Sequence, residues 1–323
     1  MSSLRYDILT GDSVIISENR AHRPNEMNNL STGTVYDVKD TSNCPFCPGN
    51  EEKTPPNFMV NGDPWRIRIV PNKYPAVSYS DCHHDYDDFY CTENITGSHY
   101  VIIDSNKHFN YIHNMSKDEI ISLLHAYAHS IDVLYKDTSI KYVQVFKNYK
   151  REGGSSLEHT HSQVIAMSFV PQKVKTIIDN AEKYYKKNNN CIFCDILKKE
   201  LSEGSRIILK TDSFTTFCPY ASTSPHMISI YPNKHMSNFS NMDNKGYSEL
   251  AETIKFVFSK LYTLLNDTAF NMYINCIKDD TDYFHWSIDV IPRISVQAGF
   301  ELSTGVMLNT VAPETTKELF TKD

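Results

Sequence analysis

The sequence predicts an α+β fold made of one half-unit present twice, and three observations carry that prediction. The chain has 323 residues, 40% of them apolar and 22% charged, enough for two domains of ordinary size with packed cores. One order of elements, and of Cys and His residues within them, occurs twice. The spacing is also kept: His108 to His159 spans 51 residues, and His235 to His285 spans 50. Chance rarely preserves both order and interval.

The first copy opens with Cys44-Pro-Phe-Cys47 and continues to a strand-like Tyr100-Val-Ile-Ile103 that leads to His108. Ser116 followed by Glu119 is a capping-box signature, so a helix is predicted from there. Ile120, Leu123, Leu124, Tyr127, Ile131 and Leu134 then share one helical face. A strand over Tyr142-Val-Gln-Val-Phe146, a Gly/Ser turn and His159-Thr-His161-Ser-Gln163-Val-Ile-Ala166 complete it. The second copy runs Cys191-Ile-Phe-Cys194, a strand at Met227-Ile-Ser-Ile230 and His235. A helix follows with Leu250, Ile254, Val257, Leu261 and Leu264 on one face. It ends with a strand at Phe270-Asn-Met-Tyr-Ile274 and His285-Trp-Ser287-Ile-Asp289-Val-Ile-Pro292. Residues 170–190 read as a helical link closing in a polar turn. The halves are taken as 1–170 and 171–323, the segments 1–43 and 293–323 being extensions without counterparts.

Composition excludes several classes. Eleven Gly and 14 Pro are too few for a collagen-like or low-complexity chain. A net charge of -7 argues against a nucleic-acid-binding surface. The N-terminus lacks the apolar core of a signal peptide, and no run approaches the ~18 apolar residues of a membrane helix. The expectation is a soluble, cytoplasmic protein. Of eight cysteines, four form the two Cys-x-x-Cys pairs, while Cys82, Cys91, Cys218 and Cys276 are scattered. In a reducing compartment such pairs are more often metal ligands or redox centres than structural disulfides.

The common dinucleotide, P-loop, zincin and α/β-hydrolase motifs are absent. What remains is the repeated Cys, Cys, His, His set. Two thiolates from a Cys-x-x-Cys turn and two imidazoles from other elements form a tetrahedral zinc site. The alternative is a redox pair or ordinary buried thiols, and repetition of the whole order favours metal. Cys44, Cys47, His108 and His159 are the first candidate set; Cys191, Cys194, His235 and His285 are the second.

A strand through His159, His161 and Gln163 puts all three on one face. His159 can then bind metal while His161 points into a neighbouring cleft, where a neutral imidazole nitrogen can attack phosphorus. Gln163 offers the phosphoryl oxygens a neutral amide. The turn Gly153-Gly154-Ser155-Ser156 supplies small residues whose backbone N–H groups and hydroxyls can approach phosphate. A strand with merely structural histidines is the other reading. In the second copy Ser287 stands at the position of His161 and Asp289 at that of Gln163, whereas His285 is retained. Metal ligands thus occur twice and the candidate nucleophile once, which predicts one chemical site per chain and a second half with a degenerate motif.

These residues resemble the galactose-1-phosphate uridylyltransferase family, a duplicated branch of the histidine-triad superfamily. The resemblance rests on several segments in order: Arg5-Tyr-Asp-Ile-Leu-Thr-Gly11, Asn19-Arg-Ala-His-Arg-Pro24, Cys44-Pro-Phe-Cys-Pro-Gly-Asn-Glu51 with Thr54-Pro-Pro56, Trp65-Arg-Ile-Arg-Ile-Val-Pro-Asn-Lys-Tyr-Pro-Ala76, His159-Thr-His-Ser-Gln163 and Ala298-Gly-Phe-Glu-Leu-Ser-Thr-Gly305. It implies two histidine-triad-like halves, each an antiparallel sheet with flanking helices. It also implies double displacement: His161 attacks the α-phosphorus of a UDP-sugar, expels hexose-1-phosphate and carries the nucleotide to a second hexose-1-phosphate. Arg23, Asn72, Asn148 and Ser156 match family residues that hold the nucleotide, with Ser156 also counted among the catalytic set. Gln163 matches the glutamine that stabilises the intermediate, and Phe300 and Glu301 match the region that meets the hexose. Zinc at the first Cys/His set, a second metal at the other, and a homodimer are further implications. Two departures stand out: Lys150 where glycine is common, and Ser287 where the second half frequently carries histidine.

Three rival readings accompany this one. A phosphorylase of the same architecture would use inorganic phosphate and an adenine nucleotide, as an ADP-glucose phosphorylase does. A catalytically silent zinc scaffold or nucleotide-sugar sensor would bind without turnover. A redox protein would use the Cys-x-x-Cys pairs without metal.

Overall fold

The computed structural model describes residues 2–22, 41–79, 84–86, 89–93 and 95–322. The chain opens with a hairpin, β1 (Ser3–Tyr6) and β2 (Ser13–Ile16), and continues through β3 (Met59–Asn61), β4 (Ile67–Pro71) and a small hairpin, β5 (His84–Tyr86) and β6 (Cys91–Glu93). The rest of the first half is β7 (Gly97–Ile103), α1 (Lys117–Leu134), β8 (Tyr142–Tyr149) and β9 (His161–Met167). Helices α2 (Gln172–Asn188) and α3 (Ile192–Glu203) lead into β10 (Ile207–Lys210), β11 (Phe214–Phe217) and β12 (Ile228–Pro232). Then come α4 (Asn244–Leu264), β13 (Phe270–Asn275), β14 (Ser287–Pro292), α5 (Gly299–Thr304), β15 (Met307–Asn309) and α6 (Pro313–Thr321). The fold class is α+β, as the repeat predicts.

Ten strands form one sheet in the order β10-β11-β12-β14-β13-β8-β9-β7-β4-β3. Read inward from either edge, the two copies contribute their strands in the same sequence, so the repeat in the amino acids is a repeat in the sheet. The copies join at an antiparallel β8–β13 seam that pairs Tyr149 with Phe270 and Val145 with Ile274. Alternation sorts the side chains. Ile102, Val145, Val164, Met272, Ile274, Ile288 and Val290 point to the helix side and are buried in one apolar cluster with α1 and α4. Their neighbours in sequence point to the opposite face, which carries the candidate site.

Helix α1 begins where its capping box predicts, and α4 begins at a side-chain cap of its own. Ser116 Oγ accepts from Glu119 N–H, and the Glu119 carboxylate accepts from Ser116 N–H, closing the box at α1. Asp243 Oδ1 accepts from Gly246 N–H at 2.7 Å to start α4. All six expected α1 residues are buried; on α4 the expected stripe is buried except Leu264, in the last turn, which is exposed. The link is helix α2, closed by Asn189 in the left-handed conformation. The terminal extensions pair with each other: β15 lies parallel to β2, with Met307 opposite Val14. Among the described residues no helix is long and apolar enough to cross a membrane.

Candidate active site and metal centres

The Cys44–Cys47 knuckle lies outside the sheet and is tied to it by the side chains around it. Asn50 Nδ2 donates to the Cys44 carbonyl at 2.8 Å. Trp65 Nε1 donates to Glu51 at 2.7 Å. Arg68, on β4, donates to Asn57 and Thr54, each at 2.8 Å. Cys47 Sγ lies 3.2 Å from His108 Nδ1 and 3.5 Å from His159 Nδ1, and Cys44 Sγ lies 3.6 Å from His159 Nδ1. All four donor atoms fall within 4.8 Å of one another. Zinc–sulfur and zinc–nitrogen bonds of ~2.3 and ~2.05 Å at tetrahedral angles put S and N about 3.6 Å apart, so the cage has the size of such a centre.

The second set repeats the first. Cys194 Sγ is 3.4 Å from His235 Nδ1 and 3.5 Å from His285 Nδ1, with Cys191 in the same group. His159 and His235 donate Nε2–H to the carbonyls of Ser105 and Thr281, both at 2.8 Å, which leaves Nδ1 as the lone-pair donor toward the thiols. Burial holds His108 and His159 below the ordinary imidazole range, His159 at about 4, and so keeps them neutral, the form that coordinates. Burial and the neighbouring Cys44 push the Cys47 thiol up to about 11, a cost that a dication among the donors reverses. In the second set the Cys191 thiol is pushed down, chiefly by its hydrogen bond with Cys194. Both sets therefore fit a metal by donor type, spacing and outer hydrogen bonds.

His161 is the first residue of β9, and His159 lies in the bend just before it rather than in the strand. The expected single strand face is thus formed by His161 and Gln163 only, while His159 turns its Nδ1 to the knuckle. His161 donates Nδ1–H to the His159 carbonyl at 2.8 Å, so Nε2 carries the free lone pair. Phe46, from the knuckle, packs edge-on against both rings, 6.0 Å from His159 and 5.5 Å from His161. Burial lowers the basicity of His161, keeping the ring neutral near pH 7.

Around His161 the site face is polar. Gln163 lies opposite Val101 on β7 and Phe146 on β8. Asn148 is two residues beyond Phe146 on the same face. Asn72, just past β4, accepts from Tyr74 N–H at 2.8 Å and lies within 3.2 Å of His99. Ser156 is exposed on the loop that follows β8. Arg23 lies outside the described residues. Phe300 and Glu301 belong to the short α5, where Glu301 caps the helix by accepting from Ala298 N–H at 3.0 Å. The contacts among the described residues do not bring them to His161.

The phosphate-loop expectation needs correction. The N–H groups of Gly154 and Ser155 donate to the carbonyls of Arg151 and Lys150, both at 2.9 Å, so the turn itself uses them. Lys150 adopts a left-handed φ of 60°, the conformation glycine takes without strain, and its ammonium binds Asp267 at 2.8 Å. The backbone path that glycine favours is therefore kept.

Two residues on this face escaped the sequence reading. His99 accepts Ala76 N–H at Nδ1, 3.1 Å away, and meets Gln163 Oε1 at 2.9 Å. Asn271, from β13 of the second half, donates Nδ2–H to Asn148 Oδ1 at 2.8 Å and to the Gly153 carbonyl at 2.6 Å. Extending the alternation of Ile103 and Val101 by one step would have placed His99 on the site face. In the second half, Asp289 is half-buried and bound by Ser229 and by Asn275 Nδ2 at 2.7 Å, leaving a polar cluster where the first half has its candidate site.

Comparison with known proteins agrees with this geometry. Residues 1–171 match the family model for galactose-1-phosphate uridyl transferase, N-terminal domain. An ADP-glucose phosphorylase of Arabidopsis thaliana is 31% identical over 96% of this chain and 90% of its own. A galactose-1-phosphate uridylyltransferase of Thermotoga maritima is 25% identical over 97% and 96%. The crystal structure of an Arabidopsis ADP-glucose phosphorylase with bound ADP-glucose superposes with a TM-score of 0.84 at 27% identity, covering 100% and 99% of the two chains. With its family model matched over more than half its length, the chain belongs to the galactose-1-phosphate uridyl transferase family and is a nucleotidyltransferase of that family.

Proposed function

We propose that the chain transfers a nucleotidyl group from a nucleoside-diphosphate glucose through a covalent intermediate on His161. The observation that carries this is the fixed ring: Nδ1–H is bound to the His159 carbonyl, so Nε2 presents its lone pair on the face shared with Gln163 and Asn148. Nε2 attacks the α-phosphorus, a P–N bond forms, and the P–O bond to the sugar phosphate breaks, releasing hexose-1-phosphate. As the ring becomes cationic, the His159 carbonyl stabilises the proton on Nδ1. An acceptor phosphate oxygen then attacks phosphorus and frees the histidine. Gln163, Asn148, Asn72, Ser156 and Arg23 are the nucleotide and phosphate ligands in this reading.

Two acceptors fit. Hexose-1-phosphate with a UDP-sugar donor is the reaction the sequence suggests, and it would place the protein in galactose metabolism. Inorganic phosphate with ADP-glucose is favoured by the higher identity to the Arabidopsis phosphorylase. Incubation with radiolabelled UDP-glucose and ADP-glucose decides: the true donor leaves acid-labile label on the wild type and none on His161→Ala. Lack of label from either donor would sink the reading.

Zinc is the metal we assign to both Cys/His sets, where four protein ligands close the site and make it structural. Residues 1–170 would carry the chemistry and 171–323 the scaffold. The exposed arm bearing Val296, Phe300 and Leu302 supports a homodimer in which Phe300 and Glu301 meet the hexose at the second copy's site. A monomer by sedimentation would remove that assignment.

A further inference from the structure

We propose that His99 and Asn271 are positioning residues that hold the amides of Gln163 and Asn148 oxygen inward and nitrogen outward, so that both present N–H donors to the phosphoryl group. The inference rests on His161 being the nucleotidyl acceptor. It adds a specific task for the second half, since Asn271 lies on β13.

A side-chain amide can show an anion either its oxygen or its nitrogen, and only the nitrogen attracts phosphate. Two backbone groups fix the choice here. The Ala76 N–H can only donate, so His99 Nδ1 must hold a lone pair and Nε2 must carry the proton. That proton faces Gln163 at 2.9 Å, so Gln163 meets it with Oε1 and its nitrogen turns away. Asn72 Nδ2, 3.2 Å from the same Nε2, offers no competing acceptor, because Asn72 Oδ1 is taken by Tyr74 N–H. On the other side, the Gly153 carbonyl can only accept, so the Asn271 atom 2.6 Å away is nitrogen. The same nitrogen lies 2.8 Å from Asn148, which must meet it with Oδ1.

Among the described residues, Gln163 Nε2 and Asn148 Nδ2 then have no hydrogen-bond partner, and neither has His161 Nε2. One lone pair and two outward amides are what a transferring phosphoryl group requires. Burial keeps His99 neutral, as this arrangement demands, because a proton on Nδ1 would oppose the Ala76 N–H. Gly153 is also confined: a Cβ there would lie 2.3 Å from the Tyr149 carbonyl oxygen and 2.8 Å from that of Phe270. The loop is thereby pressed against β13, within reach of Asn271.

The test is a pair of double-mutant cycles read as the rate of nucleotidyl labelling at saturating donor. Wild type is labelled first with ADP-glucose or UDP-glucose; no label overturns the histidine intermediate, and this inference with it. With label, His99→Leu and Asn271→Leu should each slow the step by ~10- to 100-fold, the rate equivalent of a hydrogen bond to a charged group. His99→Leu should cost less than ~3-fold further in a Gln163→Ala background, and Asn271→Leu likewise in Asn148→Ala, because each acts through its amide. His99→Gln, whose amide nitrogen can replace Nε2, should recover the rate to within a few-fold. Multiplicative losses in the double variants, or a His99→Gln as slow as His99→Leu, would overturn the proposal while leaving the intermediate intact. Should a leucine variant fail to fold, Asn271→Asp and His99→Glu, which keep similar size but have no N–H to give, carry the same comparison, with His99→Gln as the variant that recovers.

Discussion

His161 owes its tautomer to one backbone carbonyl and its position to groups beneath the sheet. On the opposite face from its ring, Lys147 Nζ donates to Asp104 Oδ2 at 2.6 Å, Thr160 Oγ1 at 2.8 Å and the His161 carbonyl at 3.1 Å. Ser162 Oγ donates to the same carboxylate at 3.1 Å. This fully buried pair anchors the strand that presents His161, the proposed nucleophile. Removing one partner strands a charge, so Lys147→Met should lower unfolding free energy by about 3–5 kcal/mol in urea titrations. Lys147→Met with Asp104→Leu should recover most of that, and a double variant as unstable as the single would show the pair is not the cause. His161→Ala touches none of these contacts. It should abolish labelling with a melting temperature within about 2 °C of wild type, as expected for a residue kept for chemistry.

The knuckles show what was legible in the sequence at the scale of an element and what was not. Order and spacing alone pointed to both Cys/Cys/His/His sets that the fold gathers, because a metal cage would demand fixed residue types and the duplication states that pattern twice. The capping box at Ser116 was equally plain, since its rule is local. The orientation of Gln163 and Asn148 was not, because it depends on His99, Ala76 and Asn271, which sheet pairing brings together from distant segments. The turn after Asn148 was misread for a similar reason: its composition indicates small residues, not which N–H groups the turn consumes. Phe46 links the knuckle to β9 by packing on both His159 and His161. Cys44→Ser should therefore lower metal content and cut the melting temperature by roughly 5–10 °C, the equivalent of a few kcal/mol. Turnover per folded, metal-replete molecule should fall much less. A variant that keeps its metal and stability yet loses turnover would contradict a structural role for this centre.

Across the whole molecule, one sheet and one apolar cluster run through both halves. Met272 and Ile274 at the seam are fully buried with Val145 and Val164, each such side chain contributing about 1.5–3 kcal/mol by leaving water. Calorimetry should accordingly show a single cooperative transition. Two separated transitions would mean that the halves fold as independent domains, each stable without the seam. The same cooperativity makes buried histidines report on the entire fold. Burial lowers the pKa of His99, His113 and His226 below 6.5. For each, the unfolded chain takes up a proton near pH 6.5 that the folded chain refuses. Their contribution is complete above that pH and is lost as pH falls from there toward the depressed folded values. Stability should drop with acidification below about pH 6.5. His226 lies far from the site, beside Thr316 Oγ1 at 3.2 Å, and has a φ of 58° that Asn also tolerates. His226→Asn should flatten the pH slope by up to one proton, about 1.4 kcal/mol per pH unit, with labelling unchanged. A slope identical to wild type would show that this ring is protonated equally in both states and would remove burial as the source of its acid sensitivity.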